Sequence, residues 1–325
     1  MVSADPETIA YLTEFAGKNR WDLLSLKEAR EAHKRFQIST STFSVEHEAA
    51  RRAVTTKDVV LGGVGISIPI RIYRAPHLVG ALDLPLVIFF HGGGWVIGDL
   101  DTHDELCREI SARVDAIVIA VEYRLAPEHH FPTAIDDSLW ATRWIATHAR
   151  ELGGDPSRMA LVGDSAGGNI AAVVSAESRG DDRLGVMLQV LIYPVVDNRS
   201  ELERTRSVVE YGQGFELTSD ALRWFQDLYF GPGDNLRDHP HASPTLADDF
   251  RGLPRTLLVV AEYDPIADSI YDYATKLKES DVPVDVETFP GVMHAFVTTG
   301  AYFSAASRAA DIIVEGLSTA LRRGE

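Results

Sequence analysis

The sequence is poor in cysteine: Cys107 stands alone, so no internal disulfide can form. That suits a reducing compartment, and a cytoplasmic location is the expectation. Long apolar runs are also missing, and none is long enough to cross a bilayer. Met1–Phe15 mixes Asp, Glu and Thr with its apolar residues and does not read as a signal peptide. Positive charge is scarce, with 31 Lys and Arg against 48 Asp and Glu, a formal net charge of -17. Nucleic acids and anionic membranes both require a basic face, so neither is expected as a partner. The chain has no internal repeat and no low-complexity tract.

What is present is the patterning of a globular protein, 45% hydrophobic and 24% charged over 325 residues. The first 50 residues place Ile9, Leu12, Phe15, Leu23 and Leu26 at helical spacing between charges. From Asp58 the period changes. Ile66, Ile68, Ile70 and Ile72 alternate with Ser67, Pro69, Arg71 and Tyr73, a half-buried strand after a glycine-rich turn at Gly62, Gly63 and Gly65. Short runs then follow that are apolar on both faces: Leu86–Phe90, Ala116–Val121, Met159–Val162, Val186–Ile192 and Thr256–Ala261. Such runs fit central parallel strands covered by helices on each side. Helical stretches lie at His103–Val114, Thr133–Glu151 and Ala166–Glu177, the first with Cys107 as a small core residue. Strand Val284–Phe289 and helix Ser304–Arg322 close the chain. Alternating strand and helix implies a mostly parallel α/β sheet. After Pro194 an insertion with Glu210–Phe215 and Asp220–Phe230 interrupts the rhythm, too long for a simple loop. It is expected to pack with the N-terminal helices as a cap.

Gly163-Asp164-Ser165-Ala166-Gly167 is a G-x-S-x-G motif between an apolar strand and a small-residue helix, the context a nucleophile elbow requires. The helix beginning there aims free N–H groups and a positive dipole end at a developing anion. His91-Gly92-Gly93-Gly94-Trp95 follows another core strand. Three consecutive glycines are costly in conformational entropy, and a loop that presents backbone N–H groups to an oxyanion has a use for them. A nucleophilic serine needs a base, and the base needs a carboxylate, in the chain order Ser, Asp or Glu, His. Of the histidines after Ser165, His294 sits just beyond the last strand, whereas His239 and His241 fall in the insertion. Their H-x-H spacing lacks the further ligands of a metal site. Asp264, at the end of strand Thr256–Ala261, is the expected acid, with Asp268 as the alternative.

Together with Tyr123-Arg124-Leu125-Ala126-Pro127-Glu128 and Asp264-Pro265, these motifs span residues 91 to 296. In that order they resemble the bacterial hormone-sensitive-lipase-like esterases, in the subgroup whose elbow reads G-D-S-A-G. The resemblance implies an α/β-hydrolase fold with a mostly parallel eight-stranded sheet. It implies a helical cap from residues 1–50 and 197–245 on a catalytic core of residues 51–196 and 246–325. It implies an oxyanion hole at Gly93, Gly94 and Ala166, a bracing role for Tyr123–Glu128 with Glu128 helping to position the elbow or its loops, and no metal or organic cofactor. The substrate it implies is a small acyl ester. Amides, carbamates or an acetylated natural product are alternatives that use the same triad. A silent ligand-binding receptor, as in the plant hormone receptors of this family, would lack the histidine present here. Trp95, Trp21, Phe215 and Trp224 are candidate pocket walls, with Tyr211, Phe225 and Tyr229 beside them. The chain is expected as a monomer or as a homodimer through the edge strand Val284–Phe289.

Overall fold

The computed structural model describes residues 5–15, 20–63, 65–199, 205–232 and 234–322. Eight strands form one sheet: β1 (Thr55–Gly63), β2 (Ile66–Arg74), β3 (Leu84–Phe90), β4 (Ile117–Val121), β5 (Gly154–Asp164), β6 (Val186–Ile192), β7 (Arg255–Tyr263) and β8 (Val284–Met293). Their order across the sheet is β1-β2-β4-β3-β5-β6-β7-β8. β1 and β2 pair antiparallel, as do β2 and β4, and every later pair is parallel. This is the α/β-hydrolase fold.

Helices α4 (Asp104–Arg113) and α10 (Ser304–Ala320) cover one face, with α3 (Glu48–Ala53) against α4. The other face carries α5 (Thr133–Thr147), α6 (Ala166–Glu177) and α9 (Ala267–Glu279). Cover on both sides explains the apolar strands: all of β4, and β3 beyond its first residue, are buried. Each such Val, Ile or Leu contributes about 1.5–3 kcal/mol by leaving water. Cys107 is buried in α4 with this core.

The first strand is a correction to the sequence reading. Gly62 and Gly63 belong to β1, paired with Ser67 and Ile66, and of the three glycines only Gly65, at φ 74°, lies in the turn before β2. β1 is an edge strand whose only fully buried residue is Leu61, which left no alternation to read.

Helices α1 (Pro6–Phe15), α2 (Leu26–Thr40), α7 (Arg206–Tyr211) and α8 (Ser219–Phe230) complete the chain. α2 starts from a capping box, in which Ser25 and Glu28 satisfy each other's backbone N–H groups. Near its start Arg30 donates to Val96 O at 2.9 Å and Ala126 O at 2.9 Å. At its end Thr40 O accepts from Ala301 N at 2.9 Å. α2 therefore spans from the loop after β3 to the loop after β8. α8 reaches the same region from the insertion, and its Tyr229 ring stacks on Trp95 at 4.3 Å.

Candidate active site

The loops after β3, β5, β7 and β8 meet at the carboxyl edge of the sheet, where open α/β sheets carry their sites. Ser165 occupies the turn between β5 and α6 at φ 54°, ψ -117°, a conformation that L-residues avoid and that holds about 1–3 kcal/mol of strain. The turn is possible because its neighbours lack side chains. A Cβ on Gly167 would lie 2.0 Å from Phe90 O, and one on Gly163 would lie 2.1 Å from Gly167 O. These close contacts are what the two motif glycines permit.

His294 Nε2 is 2.9 Å from Ser165 Oγ, and His294 Nδ1 is 2.6 Å from Asp264 Oδ2. Asp264 is 0% exposed, and its other oxygen accepts from Ile266 N at 3.0 Å. The alternative acid, Asp268, instead accepts from Ser207 N at 2.9 Å and so helps to hold α7. Tyr193 packs against the His294 ring at 4.7 Å. The imidazole is thus held by a carboxylate on one nitrogen and faces the serine hydroxyl with the other, which is the arrangement of a serine hydrolase.

Gly93 and Gly94 lie at φ 107° and 58°. Their N–H groups make no hydrogen bond among the described residues. Ala166 opens α6, so its N–H has no partner within the helix. A tight turn closes the glycine loop, with Val96 N and Ile97 N both donating to Gly93 O. Gly92 N donates to Asp164 Oδ1 at 2.8 Å, tying this loop to the elbow. His103 Nε2 lies 3.1 Å from the same carboxylate, and its Nδ1 lies 2.9 Å from Thr102 Oγ1. Burial works to raise the Asp164 pKa, but His103 and the Gly92 N–H hold it below the usual carboxylate value.

Tyr123 Oη donates to His91 O at 2.7 Å, and Ala126 N donates to Trp95 O at 2.9 Å. These contacts tie residues 123–126 to the glycine loop. Glu128 does not reach the elbow: it is half-exposed and pairs with Arg30 of α2 at 2.6 Å. Its place at the surface end of the brace gives it a partner on the roof instead.

His91 is 2% exposed and stacks on Tyr123 at 4.3 Å. Burial lowers its pKa from 6.5 to about 4. Between these values the unfolded chain takes up a proton that the native ring refuses. The stability this ring contributes is therefore complete above pH 6.5 and is lost as pH falls through about 4, by about 3 kcal/mol in all. Thermal melts between pH 7 and pH 4 should show the decline, and His91→Gln should reduce it, leaving the part that His33, lowered to about 3, contributes over the same range. An unchanged slope in that variant would contradict the assignment.

Above Ser165 is a cavity of about 90 Å³. Trp21 and Trp95 line it, as does Phe225, with Leu217, Ala221 and Leu222 on the insertion side. Phe215 and Trp224 do not. Phe215 packs on Tyr211 and Tyr263, and Trp224 stands edge-on to Phe225 outside the cavity. On α8 the inward arc runs from Ala221 and Phe225 round to Leu222 and Gln226, and Trp224 is turned about 100° from Phe225 to the other side. His33, Phe36 and Gln37 of α2 also line the cavity. Sequence reasoning did not find them, since polar residues on a strongly charged helix read as a solvated face. His239 and His241 lie away from the cavity, where His241 pairs with Glu177 at 2.9 Å. Among the described residues no cluster of His, Cys, Asp and Glu could hold a metal ion. No helix among them is long and apolar enough to cross a membrane.

Known proteins share this fold. Residues 87–298 match the family described as alpha/beta hydrolase fold. The chain is 36% identical to an ethyl acetate hydrolase of Pseudomonas putida, over 97% of this chain and 99% of that one. It is 40% identical to a carboxylesterase of Mycobacterium tuberculosis, over 78% of this chain and 79% of that one. The crystal structure of a thermostable esterase from Pseudomonas putida superposes with a TM-score of 0.90 at 31% identity, covering 100% of this chain and 99% of the other. The chain belongs to the α/β-hydrolase family, in its hormone-sensitive-lipase-like esterase branch.

Proposed function

We propose that this carboxylic ester hydrolase cleaves short-chain acyl esters through an acyl-enzyme on Ser165. The observation that carries the reading is the continuous hydrogen-bonded chain Asp264–His294–Ser165 under a small cavity. Ser165 Oγ attacks the ester carbonyl as His294 Nε2 takes its proton. Asp264 fixes the imidazole tautomer and stabilises the imidazolium. The oxyanion is received by the N–H groups of Gly93, Gly94 and Ala166, which stand free for it. His294 then protonates the departing alcohol, and a water repeats the attack to release the acid. Every step is supplied by side chains and backbone.

We assign the lid over this site to residues 1–50 and 197–245, of which 1–4, 16–19, 200–204 and 233 lie outside the described residues, and the catalytic core to the rest. The small cavity favours short acyl chains, in keeping with the ester that gives the Pseudomonas putida ethyl acetate hydrolase its name. The test is a series of p-nitrophenyl esters of increasing acyl length, measured with wild type and Ser165→Ala. Hydrolysis that peaks at short chains and disappears in the variant supports the proposal. A folded wild type inactive on the whole series refutes it. Trp21→Ala enlarges the cavity wall and should move the optimum toward longer acyl chains; an unmoved optimum would remove Trp21 from the pocket role.

A further inference from the structure

The cavity roof carries polar groups that the triad mechanism does not use. His33 and Gln37 are four residues apart on α2, hence on one face of the helix. Both line the cavity above Ser165. Gln37 is 4% exposed, and its side-chain amide has no hydrogen-bond partner among the described residues. His33 Nδ1 is likewise buried without a partner, while its ring stands edge-on to Trp21 at 5.7 Å.

The other polar side chains of the cavity differ. Asn198 donates to Ala242 O at 2.6 Å and accepts from Gln226 at 3.1 Å. Gln226 also accepts from Arg237 at 3.0 Å. Thr298 and Thr299 both donate to Ala295 O. Those groups are structural struts. A buried polar atom such as His33 Nδ1, left without a partner, costs about 1–3 kcal/mol unless a bound molecule satisfies it.

We propose that His33 and Gln37 form a polar subsite for a neutral oxygen substituent, a hydroxyl or carbonyl, on the substrate ester. The reading rests on the esterase function proposed above and names the class of ester preferred. An amide offers two donors and an acceptor, and a neutral imidazole offers one of each, so the pair serves a hydroxyl or a carbonyl equally. Burial keeps His33 uncharged, lowering its pKa to about 3. No Lys or Arg among the described residues lines the cavity. A carboxylate substituent therefore meets no cation there, and Glu216, which also lines the cavity, accepts from Tyr11 Oη at 2.7 Å; the two roof groups are themselves neutral and suit a neutral oxygen. A site built to hydrogen-bond a substrate oxygen also rejects the analogue without it, because its own groups then stay unpaired.

The experiment compares kcat/KM within two shape-matched pairs by pH-stat. One pair varies the acyl side: methyl 3-hydroxybutyrate against methyl 3-methylbutyrate. The other varies the alcohol side: 2-hydroxyethyl acetate against propyl acetate. In wild type the oxygenated member of at least one pair is expected to be favoured by about tenfold or more, the worth of one or two hydrogen bonds. In Gln37→Met and His33→Leu that ratio should fall toward one. Each ratio is taken within one variant, so a reduced fraction of folded enzyme cancels. A wild-type ratio at or below one for both pairs overturns the proposal, and so does a ratio unchanged in both variants. Failure of wild type to hydrolyse any of the four esters refutes the esterase reading itself, which is a different result.

Discussion

Ser165→Ala, His294→Ala and Asp264→Asn are each expected to lower kcat on a short-chain ester by roughly 10⁴-fold or more. The reason is geometric. Asp264 reaches His294 at 2.6 Å, and His294 reaches Ser165 at 2.9 Å, so the proton path is one chain with no parallel branch. Once a link is missing the others contribute nothing, and the Ser165→Ala, His294→Ala double variant should be little slower than either single one. Additive losses would argue against a unit acting together. KM should change little, because the cavity walls stay in place. The elbow strain adds a second signature. Ser165→Gly removes the nucleophile but accepts φ 54° without a Cβ clash, so it should gain about 1 kcal/mol of stability while losing activity. Denaturant titration alongside kinetics checks both, and loss of stability in that variant would show that the turn is not strained.

Removal of Asp164 should be the most damaging change outside the triad. Its carboxylate is 4% exposed and accepts from Gly92 N while facing His103. Asp164→Ala would leave Gly92 N and the His103 ring buried without their carboxylate partner, at a cost of about 3–5 kcal/mol by the behaviour of broken buried pairs. Asp164→Asn is the more informative variant. It keeps the shape, but its amide can turn an oxygen toward only one of the two. If the Gly92 tie is weakened, the glycine loop shifts relative to Ser165. A displacement of about 1 Å at a catalytic group costs about 10²-fold in rate. The expectation is therefore a kcat lower by 10- to 10²-fold with KM nearly unchanged, together with a reduced melting temperature. A variant that loses stability with kcat intact would confine Asp164 to a structural role.

The parts of this molecule that were legible in the sequence are those dictated by local chemistry. The elbow could be read because a strand, a turn needing two bare glycines and a helix must follow in direct succession. The central strands could be read because two covered faces demand apolar residues at every position. β1 was not legible, since an exposed edge strand imposes almost no pattern on its side chains. The pocket walls depended on which way α8 is rotated, so Phe225 faces inward where Trp224 does not, and on the chain before it, where Phe215 packs on Tyr211 and Tyr263 instead. His33 and Gln37 were hidden by the opposite convention, because polar residues on a charged helix look solvated until a cavity is seen beneath them.

The attachment of α2 at both ends has a kinetic meaning. Near one end it is bonded to Val96 and Ala126 beside the glycine loop, and at the other to Ala301 beyond His294. A motion that lifts this helix to exchange product for fresh ester pulls on the anion-binding backbone and on the base together. The open molecule is then chemically idle, and catalytic competence returns only when the roof is seated again. If an ester is too large to slip past the helix, opening and reaction become alternate phases of one cycle, and the rate of opening limits turnover.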